Sequence, residues 1–226
     1  MVAVRIFAFL FAAFSLSCAA APFTVRLGAE RLVLDAPAGF GDTTDLASPR
    51  LQDLAATLTS ESNRVLLFAL SDADLRRFTL GDQIEARRYM VAVTPKTLER
   101  ERVSQEQFAA FVADSLQGLG KAVEAPDLVR FLESQPVGKA NLLSELRRIP
   151  AAVSVLQATR LPPLPAATMW DSRKPQYLSF TTTLLLVRGK ALQLSVFSLY
   201  DSPADIDWLR TISQRWQDEV LRLNSR

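Results

Sequence analysis

The chain has 226 residues, with 26 Lys and Arg against 24 Asp and Glu, no His and one Cys, a length that suggests one domain or two small ones. Without His it can build no Ser/His/Asp triad, no His-ligated zinc or haem, and no imidazole acid or base. One Cys excludes an intrachain disulfide, a zinc finger and a CxxC pair, while 49% hydrophobic and 22% charged residues are the proportions of an ordinary globular domain.

Residues 1–20 have the layout of an export signal: Arg5 is a positive start, Ile6 to Phe14 an apolar stretch, and small residues follow from Ser15 to Ala21. Nine continuous apolar residues fall far short of the roughly 20 that a membrane-spanning helix needs. No later stretch has spanning length, so no transmembrane helix is expected in the mature chain. Cys18 leaves two outcomes open. Cleavage after Ala19 or Ala20 would remove it and release a periplasmic or secreted protein. If Ser15-Leu16-Ser17-Cys18 is instead a lipobox, Cys18 becomes a lipidated N-terminus and the protein a membrane-anchored lipoprotein. Ser15 stands where a lipobox usually has Leu, and strand-like sequence from Phe23 leaves almost no tether, so simple cleavage is favoured. Removing residues 1–20 takes only Arg5 with it, leaving 25 positive charges against 24 negative. That near-neutrality argues against a nucleic-acid partner, which calls for a basic face.

Residues 21–226 read as one domain. Phe23–Leu27 and Arg31–Asp35 are alternating runs joined by Gly28-Ala29-Glu30, a β-hairpin pattern, and Ala36–Gly41 reads as the turn that ends it. Ser48-Pro49 opens a helix with Leu51, Leu54, Ala55 and Leu58 on one face. Arg64–Leu70 is an apolar run of strand length, and a further helix could begin after Ser71 at Asp72 and Asp74. Arg87–Thr94 alternates, stopping at Pro95. Ser104-x-x-Gln107 is a capping box, followed by a stripe of Phe108, Phe111, Val112, Ser115, Leu116 and Leu119 that Gly118 and Gly120 end. Asp127–Ser134 and Asn141–Arg148 are predicted as two short helices, and Ala151–Thr159 as a strand.

Residues 160–176 form a proline-rich loop with Pro162, Pro163, Pro165 and Pro175; a segment of that kind inside a domain is usually functional or mobile. Tyr177–Val187 and Ala191–Tyr200 are the longest predicted strands, a hairpin joined by Arg188-Gly189-Lys190. Phe197 and Leu199 fall on the opposite face from Leu192, Leu194 and Val196, which a bulge or burial on both sides near Val196 would reconcile. A last helix starts at Ser202-Pro203-x-Asp205 and runs to about Leu223, with Leu209, Trp216 and Val220 inward. Six or seven strands with helices between and after them give an α+β class: an antiparallel sheet flanked by helices, in a single domain.

No residue set points to catalysis, a cofactor or a metal. Ser115 to Ala122 lacks the first Gly and the Ser/Thr of a phosphate loop and follows a helix instead of a strand. Asp201, Asp205 and Asp207 sit at a helix start, where acids are favoured by the dipole. Arg87 and Arg88 should point to opposite faces of an alternating strand and so not act as a pair; Arg147 and Arg148 should end a helix. Trp216 fits the core stripe. Trp170, in the proline-rich loop, is the one aromatic whose local pattern does not bury it, which makes it the candidate contact for a protein partner.

The order of these elements resembles the PsbP-like superfamily of exported accessory proteins, which includes periplasmic lipoproteins of the DcrB type. The residues carrying the resemblance are the first strand leading into Leu34-Asp35-Ala36-Pro37-Ala38-Gly39-Phe40, the hairpin Tyr177–Tyr200, and the closing helix with Trp216. It implies a helix-flanked antiparallel sheet and a non-catalytic, partner-binding role, and it transfers no functional residue. The expectation is therefore an exported accessory or binding protein. A carboxylate-based hydrolase is one alternative, recognisable by two carboxylates facing each other in a deep cleft. A carrier of an apolar ligand is another, recognisable by a large closed cavity.

Overall fold

Strands and helices follow one another along the computed structural model, which describes residues 22–44, 46–163 and 175–225. The export signal, Cys18, Trp170 and most of the proline-rich loop lie outside the described residues. In chain order the elements are β1 (Phe23–Leu27), β2 (Glu30–Leu34), β3 (Phe40–Asp42), α1 (Pro49–Thr57), β4 (Asn63–Ser71), α2 (Asp72–Thr79) and β5 (Arg88–Pro95). There follow α3 (Gln105–Leu116), α4 (Leu128–Glu133), β6 (Asn141–Ile149), β7 (Ala152–Arg160), β8 (Tyr177–Val187), β9 (Lys190–Leu199) and α5 (Pro203–Leu223). β1 and β2 form a separate hairpin; the other seven strands form one antiparallel sheet in the order β3-β4-β5-β9-β8-β7-β6. The architecture is the expected α+β class, an antiparallel sheet flanked by helices.

The hairpin β8–β9 supplies its centre. Arg188 and Gly189 both take positive φ, 52° and 75°, as a tight turn matched to strand twist requires. A β-carbon on Gly189 would come within 3.0 Å of the Arg102 side chain, which is exposed and free to shift, so it is the positive φ that favours glycine there.

On one face of the sheet α5 packs through Leu209, Trp216 and Val220 against Leu67, Met90, Leu156, Leu185, Leu192 and Leu194. Trp216 is 1% exposed and donates its indole N–H to the Asp35 carbonyl at 2.8 Å. The β1–β2 hairpin closes the same layer with Leu32 and Leu34, clamped by the Asn224 side chain on both backbone groups of Val33 at 2.8 Å. On the other face, α1 and α2 cover the β4–β5 end through Leu51, Ala55, Phe68, Leu70, Tyr89 and Val91. Phe108 and Val112 of α3, with Val103, cover Val153, Leu184 and Ala191. The inner strands are therefore buried on both sides. This settles the choice at Val196: the β8–β9 register runs unbroken from Leu178 to Val187, so burial on both faces, not a bulge, puts Phe197 and Leu199 opposite Val196.

Five expectations change. Asn141–Arg148 is strand β6, not a helix. Its Leu, Glu and Arg residues favour helix locally, but pairing with β7 overrides that preference, and two register shifts, between Leu142 and Ser144 and between Glu145 and Arg147, break the alternation that would have marked a strand. Arg147 and Arg148 consequently do not end a helix: Arg147 reaches Asp218 of α5, and Arg148 grips Glu145. As the outermost strand, β6 is shielded from edge-to-edge association by these charges and irregularities. Phe40 and Gly41 belong to β3, not to the turn before it. α3 ends at Leu116 with Ser115 exposed, so the buried stripe is shorter than its sequence suggests. The described strands number nine, not six or seven, because β3 and β6 were not predicted as strands.

Candidate functional site

Where β3 stops, the sheet leaves an edge. β3 pairs only with Ala69–Ser71 of β4. Beyond it, Thr43 donates both its N–H and its hydroxyl to the Phe68 carbonyl at 2.8 Å, and the Asp42 carboxylate accepts from the Phe68 N–H at 3.2 Å. The Thr43 amide and the side chains of Thr43 and Asp42 thus continue the pairing for one residue past β3. From Asn63 to Leu67, β4 has no strand on its outer side among the described residues.

α1 lies beside this edge. Ser48 is the residue before the helix and Pro49 its first, though the Ser48 side chain makes no capping hydrogen bond. Leu51 and Ala55 turn inward onto Phe68. Between α1 and β4 runs an open groove of about 500 Å³, with Val65 and Phe68 as its floor and Leu51, Ala55 and Ala56 as its wall. Thr43 and Thr44 stand at one end of its lining and Glu61, Asn63 and Lys96 at the other. The Thr59 hydroxyl is spent on the Ala55 carbonyl at 2.8 Å. A groove of this size and apolar character, built on a helix and a sheet with a few polar groups, fits the usual description of a binding site.

A second, charged cleft of about 250 Å³ is lined by Asp74, Arg77, Glu85, Arg87, Arg88, Asp201 and Asp205. Arg87 precedes the first residue of β5, so the strand alternation that would separate it from Arg88 does not apply, and both line this cleft. Every arginine there holds an acid: Arg77 with Glu85, Arg87 with Asp201, and Arg88 with Asp205 at 2.8 Å. Arg88 also lies 4.1 Å from the centre of the Trp208 ring, a cation–π contact. Burial would raise the Asp205 carboxyl, but the Arg88 hydrogen bond and the backbone amides of Asp201 and Ser202 outweigh it and hold the group below the usual carboxylate range. Asp74 accepts from Ser71 Oγ at 2.9 Å and from the Glu85 amide at 2.8 Å. Asp74 and Asp205 are thus bound up in hydrogen bonds at the starts of α2 and α5.

A third groove, of about 340 Å³, is where the hydrolase alternative meets its test, because Asp35 and Glu219 both line it. Asp35 is pushed up by burial, with a smaller contribution from Glu219, and its Oδ1 is buried without a hydrogen-bond partner. Glu219 is held low by Arg222, whose Nε and Nη2 each engage one of its oxygens. A carboxylate with both oxygens so engaged is poorly placed to act as base or nucleophile. A fourth groove, of about 650 Å³, lies between the 122–128 segment, β6 and the start of α5, with Tyr200, Asp207 and Arg210 in its lining. None of the four is enclosed, so none is the closed cavity of an apolar-ligand carrier. Among the described residues no group of three or more acidic or sulfur side chains could hold a metal, and no helix is long and apolar enough to cross a membrane.

Cys18 and Trp170, the two residues singled out from the sequence, lie outside the described residues. The α1–β4 groove was not visible as a site in the sequence. Its two halves were each legible, but their apposition is a long-range contact that local periodicity does not carry.

No known family model matches the chain, and no curated protein matches it at a significant level. Among solved structures it is similar to the Ran-binding protein Mog1p of Saccharomyces cerevisiae, at 15% identity and a TM-score of 0.37, over 91% of this chain and 93% of that one. It is similar at the same TM-score to a point variant of protein Mog1, at 12% identity over 91% of this chain and 94% of that one. No residue role is taken from either.

Proposed function

We propose that this is an exported, non-enzymatic binding protein whose partner enters the α1–β4 groove as an extended segment and pairs with the outer edge of β4. The observation that carries this reading is the juxtaposition of an apolar groove with a strand edge that β3 leaves uncovered. An open edge offers backbone hydrogen bonds to an incoming strand, and apolar pockets beside it select alternate side chains. Export rests on the layout of residues 1–20, with a soluble periplasmic protein favoured over a Cys18-lipidated one. The resemblance of the element order to PsbP-like accessory proteins agrees with a partner-binding role, in which Trp170 and the 160–176 loop would be a further contact.

Selection from a library of random peptides displayed against the mature protein tests the site. Peptides with alternating apolar residues should be enriched. Ala56→Trp, which puts a large ring into the groove from an exposed helix position, should weaken the selected peptides by roughly tenfold or more. Glu106→Trp on α3 should leave them unchanged. Equal binding by both variants would contradict the groove assignment. Mass spectrometry of the mature N-terminus tests the rest: a chain starting at Ala20 or Ala21 is expected, an acylated Cys18 would make it a lipoprotein, and a chain retaining Met1 would contradict export.

A further inference from the structure

The charge of the mature chain is balanced in sum but not in distribution. The β1–β2 turn, the β8–β9 turn and the 97–103 segment meet at one end of the molecule. A β-carbon on Gly28 would lie 3.1 Å from Arg100, one on Gly189 would lie 3.0 Å from the Arg102 side chain, and Arg188 donates to the Arg31 carbonyl at 3.5 Å. Together these segments present Arg26, Arg31, Arg100, Arg102 and Arg188, all exposed. The carboxylates among them are Glu30, Glu99 and Glu101. Glu30 stands 3.7 Å from both Arg102 and Arg188. Glu99 is taken by Arg64, which also donates to the Arg26 carbonyl at 3.2 Å. Arginine is therefore in excess, with each fork offering more donors than these acids use.

Beneath this end lies one more cation, Lys190, only 2% exposed. Its ammonium donates to the carbonyls of Glu99 at 3.1 Å and Glu101 at 2.6 Å. Burying an ammonium is costly unless it is hydrogen-bonded, and these bonds fix the backbone that carries Arg100 and Arg102. The Val103 amide adds a bond to the Gly189 carbonyl at 2.8 Å. The arginines thus stand on an ordered platform at two strand turns.

We infer that this end is an electrostatic docking face for an anionic phospholipid bilayer. The cations project from three separate segments and all five arginines are exposed, so the face suits an extended anionic surface. Guanidinium forks match phosphate oxygens, and each cation near an anionic leaflet adds attraction that fades within a Debye length. The three segments carry no aromatic residue, whereas single-stranded nucleic acids are held by stacking rings among the cations. This inference does not depend on the α1–β4 groove.

Co-sedimentation of the mature protein with vesicles of phosphatidylcholine and phosphatidylglycerol tests it, beside pure phosphatidylcholine vesicles and soluble heparin. Binding should require phosphatidylglycerol and disappear at high salt. Arg31→Gln, Arg100→Gln and Arg102→Gln combined should lower the partition coefficient by roughly 100-fold while the melting temperature stays within a few degrees. A control set away from this end, Arg50→Gln, Arg76→Gln and Arg210→Gln, should bind as the parent does. No binding to phosphatidylglycerol vesicles, equal loss in the control set, or binding to heparin alone would each overturn the proposal. Because the peptide selection reads the groove and this assay reads the arginines, failure of either leaves the other interpretable.

Discussion

Trp216 shows how one side chain ties three elements together. It fills the layer between α5 and the sheet, and its indole N–H satisfies the Asp35 carbonyl at the end of the β1–β2 hairpin. Truncation loses both the packing and the hydrogen bond, so Trp216→Ala should cost about 3–5 kcal/mol in chemical denaturation; an unchanged midpoint would mean that the helix face is misassigned. Asp35 and Asp205 should give opposite pH responses. Burial raises the Asp35 carboxyl in the folded chain, so its contribution is fullest below the ordinary carboxylate value and is lost as pH rises through the folded one. Asp35→Asn should therefore be more stable than the parent at pH 7, with the gain shrinking as the medium is acidified. For Asp205 burial is outweighed by Arg88 and two backbone amides, so its contribution is present above the ordinary value, about 3.9, and lost as pH falls through the lowered one. Asp205→Asn should be less stable at pH 7, with the deficit closing in strong acid. Denaturation at a series of pH values reads both signs.

Elements whose ends carry their own chemistry were the most legible. Ser104 and Gln107 bond reciprocally, Gln107 N–H to Ser104 Oγ at 3.2 Å and Ser104 N–H to Gln107 Oε1 at 2.8 Å, as the spacing predicts. Ser104→Ala should cost about 1 kcal/mol, measurable as a shift in denaturation midpoint, while Ser104→Asp should retain most of the stability. The β8–β9 hairpin was equally readable, because Arg188-Gly189 marks the turn and long apolar runs flank it. β6 was not, since its bulges erase the period of two and its composition favours helix; only its pairing with β7 decides the outcome. β3 was missed because three residues are too few to show any period. That omission mattered most, since the shortness of β3 is what uncovers β4.

At the scale of the whole molecule, a sheet buried on both faces leaves few places for a partner. One is the edge at β4, where α1 stands beside uncovered backbone; the other is the basic end around the β1–β2 and β8–β9 turns. The charged cleft, at the opposite end of β5 and β9 from the basic turns, is internally neutralised by the pairs of Arg77, Arg87 and Arg88, and it joins α2 and β5 to the start of α5. Neither partner-facing feature could be read from composition, because near-neutral totals hide a polarised distribution and because a groove between α1 and β4 exists only once the chain has folded. The most direct test is hydrogen exchange at the backbone amides of Arg64–Leu67, with and without a peptide selected on the mature protein. Strand addition should slow exchange there, and at α1 beside it, while leaving β6 unchanged. Unaltered exchange in β4, with protection elsewhere, would contradict the assignment of the groove as the binding site.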